Sequence, residues 1–587
     1  METEYAIRFV PDASVIPTVA DDCNLEELLR LARGQTVAHA EHPGNDVIFE
    51  ALSKAIGRIV ATRPGNSAYG RDQIFTQNGG AFYYESLPHC PHGGLIEGST
   101  PECRGPGQAL LYQRAQEALL LEAAPVAEQI LARGGHCGHL SLVKNSRDAE
   151  GNVFGSQENY EVNIARGPSL ALYRLGLALV MPLLAVQVLL TYAFLLALIV
   201  FMLGGVLLML LFPSGRRWVD DMANNDRKLD IALGRFQLWV AVISTWPALT
   251  LHAGLMHLFA FRRIRRELIA FIVSRPVVIG TGAVDGDHFV LSEKAPATRR
   301  VMRRSIMPED RPLFDTGNLL KMYGSPFNLQ WRPLLHSFRK RQRLQLGCAD
   351  SNRAQVAEFL KLGTTALILD MIEEGFLKDA PRPVDPVEAL HQVVADPNLK
   401  APVRLRGGKT MTALEIQRFY LEKAKEYLRQ SSTASVEARE VVRLWEQALD
   451  ALDANDLGSL VGRLDWVTKR YLLEQCSENG RASSNSQSSE EPTRSDLLQT
   501  VAIRYHELGD GYFARLEKAG ETTMLLATEE AQRAVTEAPE NTPAFLRGGL
   551  IRRQAGRDVP IVVSWDSAYI GKRLRGGKLI PFRRPRR

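Results

Sequence analysis

From Met181 to Phe212 the chain reads MPLLAVQVLLTYAFLLALIVFMLGGVLLMLLF and carries no charge. No other feature limits the fold as much, because such a run has to be buried, in protein or in lipid. A bilayer core takes about 20 apolar residues in a helix, so the run is long enough to span with tilt. A second uncharged stretch, Phe236 to Phe261, is milder and is weakened by Pro247, His252 and His257. A polar connector, 213–235, lies between them, and the basic cluster Arg262-Arg263-Ile264-Arg265-Arg266 follows. Basic residues at the end of a span mark its cytoplasmic side. The expectation is an inserted two-helix transmembrane hairpin, with the residues before and after it sharing one compartment. The alternative for the same residues is a buried apolar hairpin inside a soluble fold.

Around this insert the chain reads as globular. Its 587 residues suggest about two to four domains. Apolar residues make up 45% and charged residues 23%, as in ordinary folded proteins. A net charge of +5 does not make the dense basic face that a nucleic-acid partner requires. The cysteines (Cys23, Cys90, Cys103, Cys137, Cys348, Cys476) are scattered without a CxxC pair, which fits reduced thiols in a cytosolic compartment. The first thirty residues hold acidic groups and no apolar core, so they do not read as a signal peptide. The polar, low-complexity run 477–494 reads as a flexible linker. The basic tail 571–587 is of a kind that can rest on anionic lipid.

Chemistry is signalled by carboxylates on short strand-like segments. The opening ETEYAIRFV alternates, so Glu2 and Glu4 share one face of a strand. Glu85, Glu97, Glu102 and Glu158 lie on further segments of this kind. Hard cations such as magnesium take carboxylate oxygens and bind nucleotide phosphates. A carboxylate-lined sheet can therefore hold Mg-ATP without a phosphate-cradling loop. The chain has no GxxxxGK[ST] and no GxGxxG after a strand, so neither P-loop nor Rossmann chemistry is indicated.

Several segments then follow in a telling order. They are Glu2-Thr3-Glu4-Tyr5, then Asn78 to Glu85 (NGGAFYYE), then Glu97 to Cys103 (EGSTPEC). Lys144-Asn145 with Gly151 to Tyr160 (GNVFGSQENY) come next. Asp350-Ser351-Asn352, Leu360 to Thr365 (LKLGTT) and Leu464 to Lys469 (LDWVTK) follow, and Ala538 to Gly548 and Ser564-Trp565-Asp566 close the series. Together they resemble the Pup ligases and the related Pup deamidase/depupylases, proteasome accessory factors with a glutamine-synthetase-like fold. The resemblance implies an α+β fold: an antiparallel sheet backed by helices, here interrupted by the hairpin and followed by a small C-terminal domain. The division it implies is 1–165 and 263–476 for the catalytic domain, 170–262 for the insert, and 495–570 for the small domain.

The resemblance also implies roles. Glu2, Tyr83 and Glu97 fall where the family binds magnesium, Thr100 and Trp565 where it contacts ATP, and Glu85 at its catalytic carboxylate. Glu4, Glu102, Glu158, Asn159 and Arg547 are further candidates. The implied reaction is ATP-dependent ligation of the C-terminal glutamate of a Pup-like modifier to lysines of protein substrates, through an acyl phosphate, by an enzyme anchored in the membrane with its catalytic domain in the cytoplasm. A depupylase, a small-molecule carboxylate–amine ligase, and a catalytically altered membrane-anchored binding protein are the alternatives. The chain departs from the family pattern in places. Glutamate stands for aspartate at Glu85, Ala81 for an ATP-binding arginine, Gln157 for histidine and Pro543 for an arginine. An extra stretch with His89, Cys90 and His92 precedes Glu97, and with Cys103 it reads as a plain loop rather than a zinc site.

Overall fold

In a computed structural model of the chain, the described residues are 1–12, 42–65, 72–87, 90–211, 246–248, 250–286, 288–302, 311–315, 335–431, 435–483, 494–557, 559–571 and 577–582. Of these, side chains are not described at 86, 87, 90–92, 184, 187, 188, 191, 201, 202, 206, 208–211, 477–483 and 494–496. Strand β1 (Glu2–Pro11) is built from the alternation seen in the sequence. Its odd positions Tyr5 and Phe9 are buried and Ile7 packs beside them. They pack on helix α1 (Asn45–Ile59) and helix α2 (Pro106–Arg133) through residues such as Leu52, Ile56, Leu119 and Leu120. Strands β2 (Thr62–Pro64), β3 (Gln73–Thr76), β4 (Ala81–Leu87), β5 (Cys90–Ser99) and β6 (Gly138–Val143) complete a sheet of order β2-β3-β4-β5-β1-β6. The Gly- and Pro-rich segment ahead of Glu97 is thus strand rather than loop, because pairing to β4 at Cys90, Gly94 and Leu95 overrides its poor propensity, with β1 joining only from Ile96 on.

A second sheet holds β7 (Glu158–Asn163), β8 (Arg300–Met302), β9 (Pro312–Asp315) and β10 (Arg341–Leu346), in the order β8-β9-β10-β7. One backbone pair joins the two sheets among the described residues. Glu2 N–H donates to Gln157 O at 3.0 Å and Gln157 N–H to Glu2 O at 2.9 Å. Behind the second sheet lies the largest core, with α4 (Arg262–Ser274), α5 (Gln355–Glu374), α6 (Ala413–Gln430) and α7 (Val436–Asp453) around Phe271, Tyr420 and Trp445. The segment Arg275 to Gly282, which reads as a strand in sequence, begins with a helical turn over Pro276–Ile279. Helix α8 (Asp465–Ser483) runs into the stretch read as a linker, whose residues 484–493 lie outside the described ones. A small sheet of β11 (Ile561–Val563), β12 (Ser567–Ile570) and β13 (Lys578–Pro581) packs through Val563 and Ala568 on Phe75 and Ala81.

The transmembrane hairpin is corrected here. Among the described residues no helix is long and apolar enough to cross a membrane. The transmembrane insert, the membrane partner and the membrane-anchored localisation expected from the sequence are not borne out. What packing there is lies before the run and in the second stretch; from Leu183 to Leu207 no described side chain is buried. Helix α3 (Gly167–Leu211) buries Tyr173, Leu177 and Val180 in the main core. Residues 246–261 return against it and bury Ala248, Met256, Ala260 and Phe261. Tyr173 Oη meets the buried His252 Nε2 at 3.0 Å. Farther along α3, apolar side chains including Leu189, Leu196 and Leu203 are exposed. Residues 212–245, which hold the connector and the start of the second stretch, lie outside the described ones, as do 24–33 and most of the basic tail.

Buried carboxylates pin the two halves together. Asp465 accepts from the N–H groups of Arg353 and Ala354 (2.9 and 3.1 Å), Asn352 Nδ2 (2.9 Å) and Tyr505 Oη (2.9 Å). It thereby holds the turn that enters α5 and ties the 495–570 region to it through Tyr505. Asp465→Ala takes the acceptor from three buried donors, Asn352 Nδ2 keeping Ile279 O, and is expected to lower stability by about 3 kcal/mol in urea denaturation. Burial alone would raise Glu117 and Glu293. Lys144, Arg114 and Arg353 outweigh it at Glu117, and Lys469 and His506 at Glu293, so both are held at about 2. A carboxylate depressed from 4.5 stabilises the fold above its unfolded value. Denaturation across a pH series is therefore expected to show stability falling as pH drops from about 4.5 toward 2, with a shallower fall in Glu293→Gln.

Candidate active site

Strand register sets out the site. Tyr83 of β4 stands opposite Glu97 of β5, and Glu97 opposite Glu4 of β1. In the next row Ala81 faces Ser99, Ser99 faces Glu2, and Glu2 faces Gln157. Residues in register point to one side, so Tyr83, Glu85, Glu97, Glu2 and Glu4 share a face, opposite to the one that sends Tyr5, Phe82 and Ile96 into the helices. With strands about 4.8 Å apart and rows about 7 Å apart, Glu2 and Tyr83 are about 12 Å apart at Cα. Long side chains have to span that gap to meet a common ligand.

The face is crowded with negative charge. Burial first, and then the Glu85 charge, push the Glu4 carboxyl up to about 7, against Lys294 and the Gly155 N–H, which donates to Glu4 Oε2 at 2.6 Å. Burial, followed by the Glu97 charge, raises the Tyr83 hydroxyl as well. Such mutual repulsion is what a bound cation relieves. Among the described residues no three His, Cys, Asp or Glu side chains group closely enough to hold a metal by themselves. Magnesium does not demand such a cage: it keeps several waters and is held by one or two carboxylates together with phosphate. The donor set fits an ion of that kind.

The Tyr83 end of the face is closed by the C-terminal region. Trp565 Nε1 donates to Tyr83 Oη at 2.7 Å. Arg547, fully buried, lies 4.5 Å from the Trp565 ring centre and 5.4 Å from that of Phe75. Its guanidinium donates to Gly79 O (2.9 and 2.6 Å), Glu102 (3.1 and 2.6 Å) and Trp565 O (2.8 Å). Gly79 makes this approach possible. Its φ is +86°, and a Cβ there would stand 2.7 Å from that of Ala544.

The remaining candidates fall in three places. Thr100, buried, ends β5, and its N–H bonds Met1 O at 2.9 Å. Asn159 lies beyond Glu2 on the same face and accepts from Arg343 Nε at 2.6 Å. Glu158 points to the opposite side, where it is fully buried against Arg275 at 2.8 Å and accepts from Tyr160 Oη at 2.6 Å. His89 and the side chains of Cys90 and His92 lie outside the described residues. Burial pushes the Cys103 thiol up to about 12, so it is not a ready thiolate ligand. Sequence reasoning missed Arg343 and Lys294. The alternation of RQRLQL, which puts Arg343 and Gln345 on one face, was the available signal for the former.

The family described as Pup-ligase protein matches residues 1–569. The chain belongs to the Pup-ligase family. A Pup–protein ligase of Acidimicrobium ferrooxidans is 26% identical over 504 residues, covering 84% of this chain and 83% of that protein. One from Mycolicibacterium smegmatis is 27% identical over 508 residues, covering 85% and 84%. A depupylase of Acidothermus cellulolyticus is 32% identical, but over 317 residues, 52% of this chain and 58% of the relative. Among solved structures, the complex of the prokaryotic ubiquitin-like protein Pup with its ligase PafA aligns with a TM-score of 0.63 at 19% identity, over 100% of this chain and 89% of that one. PafA with ADP aligns with a TM-score of 0.58 at 19% identity, over 98% and 97%. The α+β architecture is thus that of PafA.

Arg547 holds the C-terminal sheet of this Pup-ligase relative onto the β3–β4 turn. Arg547→Ala leaves Gly79 O and Trp565 O without their donor and Glu102, about a third exposed, without its partner, and a loss of about 2–3 kcal/mol is expected. Arg547→Lys, which lacks the planar fork, is expected to restore little of the melting temperature.

Proposed function

We propose that this chain uses ATP to join the C-terminal glutamate of a Pup-like modifier to lysine side chains of proteins. The observation that carries the reading is the family match across residues 1–569 together with the carboxylate face that Tyr83 and Trp565 close at one end. In this reading Glu2, Tyr83 and Glu97 serve magnesium, Thr100 and Trp565 serve the nucleotide, and Glu85 serves as base. Magnesium, when bound, would offset charge between the γ-phosphate and the incoming carboxylate.

The face divides the work. The modifier carboxylate oxygen attacks the γ-phosphorus, ADP leaves, and an acyl phosphate remains. A lysine amine then attacks the acyl carbon, phosphate leaves, and an isopeptide bond forms. Glu85 lies one row beyond Tyr83 and Glu97, opposite Leu95 and away from the Glu2 end. In this reading it takes the proton that the lysine must lose before it attacks. Glutamate in place of the family's aspartate keeps the carboxylate and lengthens its reach by one methylene.

Conjugation can be followed directly with ATP, a Pup-like protein ending in glutamate and a lysine-bearing target. Glu85→Gln is expected to slow conjugate formation about 10²–10⁴-fold without shifting the melting temperature, whereas Glu85→Asp retains it. Glu2→Gln and Glu97→Gln are expected to raise the magnesium concentration required. Release of modifier from a preformed conjugate, with no new conjugate made, would assign the chain to the depupylase side instead.

A further inference from the structure

Arg343 reaches the site from the second sheet. It lies on β10, opposite Glu161 of β7. Its Nε donates to Asn159 Oδ1 at 2.6 Å, and its Nη2 lies 2.9 and 3.1 Å from the two oxygens of Glu2. Nη1 makes no hydrogen bond among the described residues. The Arg343 side chain is 29% exposed, whereas Arg275, Arg353 and Arg547, which also pair with carboxylates, are at 3% or below. Those three are sealed in the fold, and Arg343 opens onto the face where the nucleotide is proposed to lie.

The Glu2 pairing has a built-in exchange. A divalent ion and Nη2 compete for the same carboxylate oxygens, and an ion with a full double charge outbids one corner of a guanidinium. Once released, Arg343 is still held by Asn159 at Nε and stays at the edge of the Glu2–Ser99–Ala81 row. Its planar fork then presents two amino groups to whatever anion accompanies the ion, and two phosphate oxygens match that fork. Ala81 is buried under the C-terminal sheet and brings no charge to the other end of the row.

We propose that Arg343 is the phosphate-binding cation of this site, resting on Glu2 and passing to the nucleotide phosphates when magnesium takes Glu2. The inference rests on nucleotide binding at the carboxylate face, as proposed above. Its test is binding of Mg-ADP to the full chain by calorimetry, with folding checked by thermal melting. Arg343→Ala is expected to weaken ADP at least about tenfold, the value of one charge-assisted hydrogen-bond pair. Arg343→Lys, which keeps the charge and loses the fork, should fall between. In a magnesium titration at saturating nucleotide, Arg343→Ala should reach half-saturation at an equal or lower metal concentration, because Glu2 is no longer shared. A merely structural arginine would not produce that split. Unchanged ADP affinity in a folded Arg343→Ala overturns the proposal, as does a rise in the magnesium requirement parallel to the loss of nucleotide. If the alanine variant melts early, Arg343→Lys alone decides: wild-type affinity in a folded lysine variant refutes the role of the fork. Conjugation is scored separately. A chain that binds Mg-ADP through Arg343 yet joins no modifier would refute the ligase reading and leave this inference standing.

Discussion

The site depends on the backbone pair between Glu2 and Gln157, the only backbone-to-backbone bonding between β1 and the second sheet's side of the molecule among the described residues. Glu2 bonds β5 on one flank and Gln157 on the other, so a single residue belongs to both surfaces. Through it, Tyr83 and Glu97 on one sheet come to share a face with Asn159 and Arg343 on the other. Because side chains alternate with a period of two, a slip of one residue in β1 would send Glu2 and Glu4 into the helical layer and turn Tyr5 outward. Tyr5 and Phe9, locked against α1 and α2, make that slip costly. The register of the acidic face is therefore secured by apolar residues on its reverse.

Most of the segments that signal the family in sequence prove to be internal braces. Asp350 accepts from the N–H groups of Thr281, Glu293 and Lys294 and from Ser292 Oγ. Lys361 reaches Asp350 O at 2.9 Å, Ser156 Oγ at 3.2 Å and Glu358 at 2.8 Å. Lys469 joins Glu293 at 2.7 Å and Gly282 O at 2.7 Å, with His506 beside it. Each of these groups is buried, so each ion has to be paired and hydrogen-bonded to be tolerated there. The constraint on such residues is strict for reasons that precede catalysis. The ordered motifs therefore read out the fold directly, and the chemistry through it.

That distinction explains what could be read in the sequence. The alternation of β1 and the helical spacing of 108–133, 354–374 and 413–430 are strong local patterns, and the structure has helices over Pro106–Arg133, Gln355–Glu374 and Ala413–Gln430. Segments governed by their neighbours were harder to read. The strand from Cys90 owes its extended form to β4, with β1 joining from Ile96 on, and the PVVI after Arg275 is helical because it packs in the core beneath Trp466, whose Nε1 bonds Val277 O at 2.9 Å. Apolar content alone also misled. It shows that a segment must be covered, not by what, and around Tyr173, His252 and Phe261 the cover is the domain's own core. Arg343 escaped notice because its meaning lies in Glu2, a residue more than three hundred positions away and on another sheet.

The two ends of the acidic face differ in a way that bears on how a nucleotide would lie. At the Tyr83 end the surface is aromatic and closed: the Trp565 ring stands edge-on to Phe75 at 5.1 Å, with Arg547 buried behind it. At the Glu2 end it is polar and partly open, with Arg343, Asn159, Gln157 and Gln345 in contact with one another or with Glu2. An aromatic wall favours a flat, weakly polar ring, and a cationic rim favours phosphate. Between them Glu97 and Glu4 supply the charge that would hold metal against the phosphate tail. A molecule with a base at one end and a polyphosphate at the other matches this gradient in one orientation, base toward Trp565 and phosphates toward Glu2. The reverse orientation would set phosphate against the closed aromatic end and leave the guanidinium of Arg343 facing the base.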